Sequence, residues 1–158
     1  MHYSTRLEDY LAAIEGSDAF AVIPREYGTV ITYRMLGNDV FPDPRQSESE
    51  QQRQHWELRR QCRGIIFDLQ GQVISLPLEK FFNIGEREET LPKNLPWHLP
   101  HVILEKLDGS MIRPIPMAEG KGWRLGTKAG ITDVSAQAEA WIRNQPRYVA
   151  FVDACVAA

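Results

Sequence analysis

The sequence predicts an α+β domain with a mostly antiparallel sheet and flanking helices. Three observations carry this: an amphipathic helical segment at the start, short apolar runs joined by tight turns in the middle, and helical spacing at the end. Residues 5–15 place Leu7, Tyr10, Leu11 and Ile14 on one helical face, with Thr5 as cap and Gly16 as stop. Residues 20–24 and 29–36 read as strands joined through Glu26-Tyr27-Gly28, and Phe41-Pro42-Asp43-Pro44 reads as a loop. The polar segment 47–61 reads as a solvated helix or a mobile stretch, with Trp56 as its main apolar anchor. Residues 64–68 and 72–76 flank Leu69-Gln70-Gly71 as a β-hairpin. A proline-rich connector over 91–100 follows. Residues 102–105 and 111–117 read as strands on either side of Lys106-Leu107-Asp108-Gly109-Ser110. A further strand is expected over 123–128, then helices over 134–144 and 147–158. No internal repeat is evident.

The length of 158 residues suits one domain, and 43% apolar with 25% charged residues is ordinary for a globular chain. No apolar run reaches the roughly 20 residues of a membrane span, and the first residues lack the layout of a signal peptide. Cys62 and Cys155 are too few and too separated for a disulfide framework or a thiolate metal site. A cytoplasmic location is expected. The net charge of −3 argues against non-specific duplex binding, which needs many phosphate contacts, but leaves room for a local basic pocket. Arginine outnumbers lysine 13 to five, a bias that codon usage explains. Arginine can take most surface roles, whereas a nucleophilic amine must be lysine, so the places where lysine persists are informative.

The sharpest chemical signal is Lys106-Leu107-Asp108-Gly109: a lysine at a strand end, followed by a tight glycine turn. Glycine there lets a nucleotide approach the backbone closely. Lysine attacks the α-phosphorus of ATP only as a free amine, so partial burial and neighbouring cations would have to lower its pKa. Taken alone, the four residues are equally well an ordinary Asp-Gly hairpin turn. Likewise Phe82 alone could be plain core, Arg63 a surface ion pair, and Lys80 a solvated strand-end residue. His98 and His101 are interrupted by Pro100 and lack a completing carboxylate or cysteine, so a structural role is expected and no metal ligand is assigned. The acidic stretch 86–89 reads as solvated surface, and no Walker-type glycine loop occurs.

Four stretches, in order, change this balance: Gln61-Cys62-Arg63-Gly64-Ile65-Ile66-Phe67, Leu78-Glu79-Lys80-Phe81-Phe82-Asn83-Ile84-Gly85-Glu86, the Lys106 motif, and Gly126-Thr127-Lys128-Ala129-Gly130-Ile131. Together they resemble the phage-type, tRNA-repair class of RNA ligases within the covalent nucleotidyltransferase superfamily. The resemblance runs from about Arg63 to the end, and Lys80-Phe81-Phe82-Asn83 is its most specific piece. It implies a partial nucleotidyltransferase adenylylation domain, ATP-grasp-like in kind, with ATP and Mg²⁺ as cofactors and RNA bearing 5′-phosphate and 3′-hydroxyl ends as partner, tRNA among the candidates. It implies that Lys106 is the nucleophile forming lysyl-AMP, that Arg63 and Lys80 sit near the ATP phosphates, and that Phe82 stacks on adenine. By the same resemblance Asp108, Gly109 and Lys128 belong with Arg63, Lys80 and Phe82 to the nucleotide-binding set, Gly109 shaping the turn beside the nucleophile and Lys128 matching an essential basic position. The family often carries Gly-Ser after that lysine; this chain has Ala129-Gly130.

The superfamily's later elements, two Glu-bearing motifs and a final Lys-x-Lys strand, are not recognisable in the sequence. Residues 1–158 are therefore expected to be the N-terminal portion of an adenylylation domain. A non-catalytic nucleotide- or RNA-binding module derived from a ligase is the alternative of a different class. A DNA ligase or capping enzyme would share Lys-x-Asp-Gly, but the Lys80-Phe81-Phe82-Asn83 stretch points to the RNA ligases.

Overall fold

A computed structural model describes residues 3–34, 37, 40–105, 108–117 and 121–157. Helix α1 (Leu7–Ile14) buries Tyr10 and Ile14 as its helical spacing predicts and Ala13 besides, whereas Leu11, expected on the same face, is exposed. Thr5 is not its cap: Arg6 occupies that position, without a side-chain bond to the helix. Strands β1 (Phe20–Arg25) and β2 (Gly28–Tyr33) form the expected hairpin. The polar segment is an ordered helix, α2 (Glu50–Gln61), capped by the Ser49 hydroxyl accepting from Gln52 N–H. Its buried anchor is Leu58 rather than the half-buried Trp56. Arg60 and Gln61 are buried as well, because each has a polar partner inside. Gln61 accepts from the Tyr10 hydroxyl at 2.6 Å, and Arg60 pairs with Glu89.

Strands β3 (Arg63–Phe67) and β4 (Val73–Ser75) complete a four-stranded antiparallel sheet in the order β1-β2-β3-β4. Its faces follow the two-residue period of a strand. Ile31, Ile65 and Phe67 pack on one face with α1, α2, Phe20 and Phe41; Val30 and Ile66 pack on the other with Ile115. Ile115 belongs to a second, two-stranded sheet of β5 (Arg113–Pro116) and β6 (Trp123–Gly126). The opposite side of that sheet, through Trp123 and Leu125, is covered by α3 (Asp133–Arg143) and α4 (Pro146–Ala157). The α+β class stands, with every described strand pair antiparallel.

The register contains one irregularity that matters for the site. Ile31 pairs with Ile65 but Thr32 with Arg63, so Gly64 is an extra residue in β3. Gly64 has φ +98, and a Cβ there would lie 2.5 Å from the Lys128 carbonyl oxygen and 2.7 Å from its Cα. The bulge is what lets the turn after β6 rest on β3.

The expected strand over 102–105 does not form. These residues carry no regular structure, and Val102, Ile103 and Leu104 are 80–84% exposed. Strand β5 begins at Arg113 rather than Met111, and its prolines explain why it pairs with β6 alone among the described residues. Met117 N–H bonds toward Gly122 on the β6 side, so the intervening positions 114 and 116 face outward; both are proline and have no N–H to offer. No helix among the described residues is long and apolar enough to cross a membrane.

Candidate nucleotide site

The site lies where β2 ends and β3 begins. The Lys80 backbone N–H donates to the Arg60 carbonyl at 2.7 Å, which ties the segment carrying Phe81 and Phe82 to the end of α2. Phe82 packs partly against the core and is surrounded by cations. The Arg87 guanidinium lies 4.0 Å from its ring centroid, the Lys80 ammonium 4.1 Å and the Arg60 guanidinium 5.4 Å. Beside it, the Arg63 guanidinium lies 4.8 Å from the exposed Phe81 ring. Burial pushes the Lys80 ammonium below its ordinary pKa; Glu86 opposes this, while Arg63, Arg87 and Arg60 add to it. The four cations therefore share one field.

Their partners differ. Arg60 is neutralised by a two-pronged ion pair with Glu89, at 2.7 and 2.8 Å, and also donates to the Pro42 carbonyl. Glu89 is thus a half-buried structural partner, not part of a solvated acidic run. Arg87 donates to the Phe41 carbonyl at 2.7 Å and Lys80 to the Phe81 carbonyl at 2.5 Å. Among the described residues Arg63, Lys80 and Arg87 have no carboxylate in ion-pair contact.

Lys128 reaches the same end of the sheet from the other direction. Its ammonium lies 4.8 Å from the Tyr33 ring, and Tyr33 meets Phe41 edge-on at 5.3 Å. Phe41, fully buried, links the two groups, its ring against Tyr33 and its backbone carbonyl accepting from Arg87, so Lys128 and Tyr33 on one side and Arg87, Phe82 and Lys80 on the other make one belt of cations and aromatic rings. The turn carrying Lys128 is closed by Thr127 and Gly130, which exchange backbone hydrogen bonds at 2.9 and 3.1 Å. It is fastened to the sheet by Arg25 donating to the Ala129 carbonyl and by Ile131 N–H donating to the Tyr27 hydroxyl. Below it lies Arg113, a buried residue that donates to the Ser75 hydroxyl at 2.8 Å, the Thr127 carbonyl at 3.4 Å, and the Gly64 carbonyl. Burial lowers its pKa to about 10.

The Lys106 motif is only partly described. Lys106 and Leu107 lie outside the described residues. Asp108 is exposed, and Gly109 has φ +136 with no atom within 4 Å of where its Cβ would stand. That backbone conformation is one L side chains rarely adopt, which accounts for glycine at this turn.

The profile of the RNA ligase family matches residues 61–152. The chain belongs to the RNA ligase family. It is also 35% identical over 116 residues to a protein of Thermovibrio ammonificans named provisionally as an RNA ligase. That alignment covers 73% of this chain and 27% of the relative, so the chain spans about a quarter of the relative's length.

Within this chain of the RNA ligase family, the sheet end unites Arg63, Lys80, Phe82 and Lys128, residues 65 positions apart at the extremes. With no carboxylate in ion-pair contact with them among the described residues, these cations leave the sheet end able to take an anion. Adenine on Phe82 would have to take the place of Arg87 or Lys80, since both now lie against that ring. Among the described residues no group of three or more His, Cys, Asp or Glu is arranged to hold a metal ion. Arg60, Arg87 and Arg113 were not singled out by motif. Arg113 had one usable signal: it stands two residues before Ile115, on the inward side of a strand.

Proposed function

We propose that residues 1–158 are the N-terminal portion of the adenylylation domain of an ATP-dependent RNA ligase of nucleotidyltransferase fold. The observation that carries this is the gathering of Arg63, Lys80, Arg87 and Lys128 around Phe82 and Tyr33, with no carboxylate in ion-pair contact among the described residues. The negative charge of a nucleoside triphosphate is the complement of this arrangement. Arg63 and Arg87 present planar forks to phosphate oxygens, and Lys80 and Lys128 supply compact charge. Phe82 offers a face to the base once a cation leaves it.

In the proposed reaction the Lys106 amine, having lost a proton to solvent, attacks the α-phosphorus of ATP. A P–N bond forms, the bond between the α-phosphorus and its bridging oxygen breaks, and pyrophosphate leaves. The AMP then passes to an RNA 5′-phosphate, releasing the lysine, and an RNA 3′-hydroxyl finally displaces AMP to join the ends. Mg²⁺ accompanying the phosphates would neutralise part of their charge. The chain's own cations hold the triphosphate and stabilise charge on the departing pyrophosphate.

Intact mass after incubation with ATP and Mg²⁺ tests the covalent step. An AMP adduct is expected in a form extended along the relatives' length, and Lys106→Ala should abolish it; the 158-residue chain should show little adduct. An adduct that survives Lys106→Ala removes Lys106 as nucleophile. ATP binding to this chain that is unchanged by Arg63→Ala and Lys80→Ala removes the phosphate assignment.

A further inference from the structure

Arg113 sits where three separate pieces of chain meet. Its Nε donates to Ser75 on β4, one terminal nitrogen to the Thr127 carbonyl after β6, and the other to the Gly64 carbonyl on β3. The side chain is buried, yet no carboxylate among the described residues forms an ion pair with it. Burying an uncompensated guanidinium is costly, and a simple apolar contact between the two sheets would avoid that cost. What an apolar side chain could not do is fix two backbone carbonyls at once. Gly64 follows Arg63 directly, and Thr127 precedes Lys128. The Gly64 bulge leaves no room for a Cβ against the Lys128 backbone, so the two carbonyls are held at a close approach between the segments.

We infer that Arg113 is a positioning residue, whose guanidinium locks the Gly64 bulge to the Thr127–Gly130 turn so that Arg63 and Lys128 face one polyphosphate together. The inference rests on the nucleotide reading of this site. Ser75 orients the guanidinium through Nε, and the two terminal nitrogens then have fixed directions toward their carbonyls. A lysine at 113 keeps the charge and can reach one of these acceptors, but not both in a set geometry. Methionine keeps the bulk and removes every donor.

The test uses the 158-residue chain with two probes, tripolyphosphate and adenosine, and hydrogen exchange of the amides. Arg113→Met should weaken tripolyphosphate binding about tenfold, a loss of about 1.4 kcal/mol, and leave adenosine binding unchanged. It should also deprotect the amides of 63–65 and 126–130 while those of β1 and β2 stay protected. Arg113→Lys should recover part of both losses. Equal weakening of both probes, or exchange that rises throughout the sheet, would show a merely structural residue and overturn the inference. So would unchanged tripolyphosphate binding with unchanged exchange. If the unaltered chain binds neither probe, the nucleotide reading fails, and exchange alone decides the local lock: deprotection confined to the two segments upholds it, and no change overturns it.

Discussion

Gly64→Ala is the substitution that most directly probes how the site is assembled. The new Cβ would stand 2.5 Å from the Lys128 carbonyl oxygen and 2.8 Å from its carbonyl carbon, both backbone atoms that no rotamer change can move aside. Two costs add. An L residue at positive φ costs about 1–2 kcal/mol, and forced overpacking costs a further ~1–3 kcal/mol. The sum is about 2–5 kcal/mol, a large part of the stability of a small domain. Gly16→Ala supplies the control: Gly16 has φ +71, but nothing lies within 4 Å of its missing Cβ, so only the backbone cost of about 1–2 kcal/mol applies. Urea unfolding should place the Gly64→Ala midpoint well below that of Gly16→Ala, at an unchanged slope. Equal midpoints would mean that the turn carrying Lys128 does not press on the bulge, and the close union of these two segments would be refuted.

Two further outcomes follow from buried groups outside the site. Glu139 is buried, which by itself raises its pKa, but hydrogen bonds from Leu125 N–H, Arg124 and Arg143 outweigh this and hold the carboxyl below its ordinary 4.5. A depressed folded pKa means stability that is present above the unfolded value and lost as pH falls through the folded one. Glu139→Gln should therefore cost ~1–3 kcal/mol at pH 7 and reduce the loss of stability below about pH 4.5; an unchanged acid profile would refute that role. The Cys62 thiol is fully buried, which pushes its pKa up, whereas Cys155 is exposed. A thiol reagent should label Cys155 in the native chain and Cys62 only after unfolding, and early labelling of Cys62 would show that the core around α2 opens.

Patterning made most elements legible in the sequence, and its failures have identifiable causes. The short apolar runs Gly64-Ile65-Ile66-Phe67 and Val73-Ile74-Ser75 around Leu69-Gln70-Gly71 marked the central hairpin, and they run on without alternation because both faces of that sheet are buried. Helix α2 looked solvated because burial was judged by polarity, while Arg60 and Gln61 go inside on the strength of Glu89 and Tyr10, partners 29 and 51 residues away. Val102, Ile103 and Leu104 have strand-forming side chains, but pairing depends on the neighbour's backbone, and Pro114 and Pro116 remove the donors it would need. At the site, Arg63, Lys80, Phe82 and Lys128 were found through ordered motifs. Arg87 and Arg113 were not, because their partners are backbone carbonyls, a serine hydroxyl and an aromatic ring, most of them supplied by distant segments.

The charge pattern around the belt bears on what it binds. The chain carries a net −3, so it has acidic residues enough to pair these cations. The acidic stretch beside the site is turned elsewhere: Glu86 accepts from Asn83 N–H, Glu88 pairs with Lys93, and Glu89 is taken by Arg60. Lys80 registers the result, its ammonium pushed down by burial and, against the opposing pull of Glu86, by the guanidinium groups around it. Like charges held together without a counter-ion oppose folding, and an anionic ligand relieves that opposition on binding. A polyphosphate held by several cations should bind in a strongly salt-dependent way, because the Debye length shrinks from about 10 Å at 0.1 M to about 3 Å at 1 M salt. Adenosine, carrying no charge, should bind with little dependence on salt. Tripolyphosphate affinity that holds steady between about 0.05 and 0.5 M salt, over which the Debye length falls about threefold, would show that the belt is not what holds it.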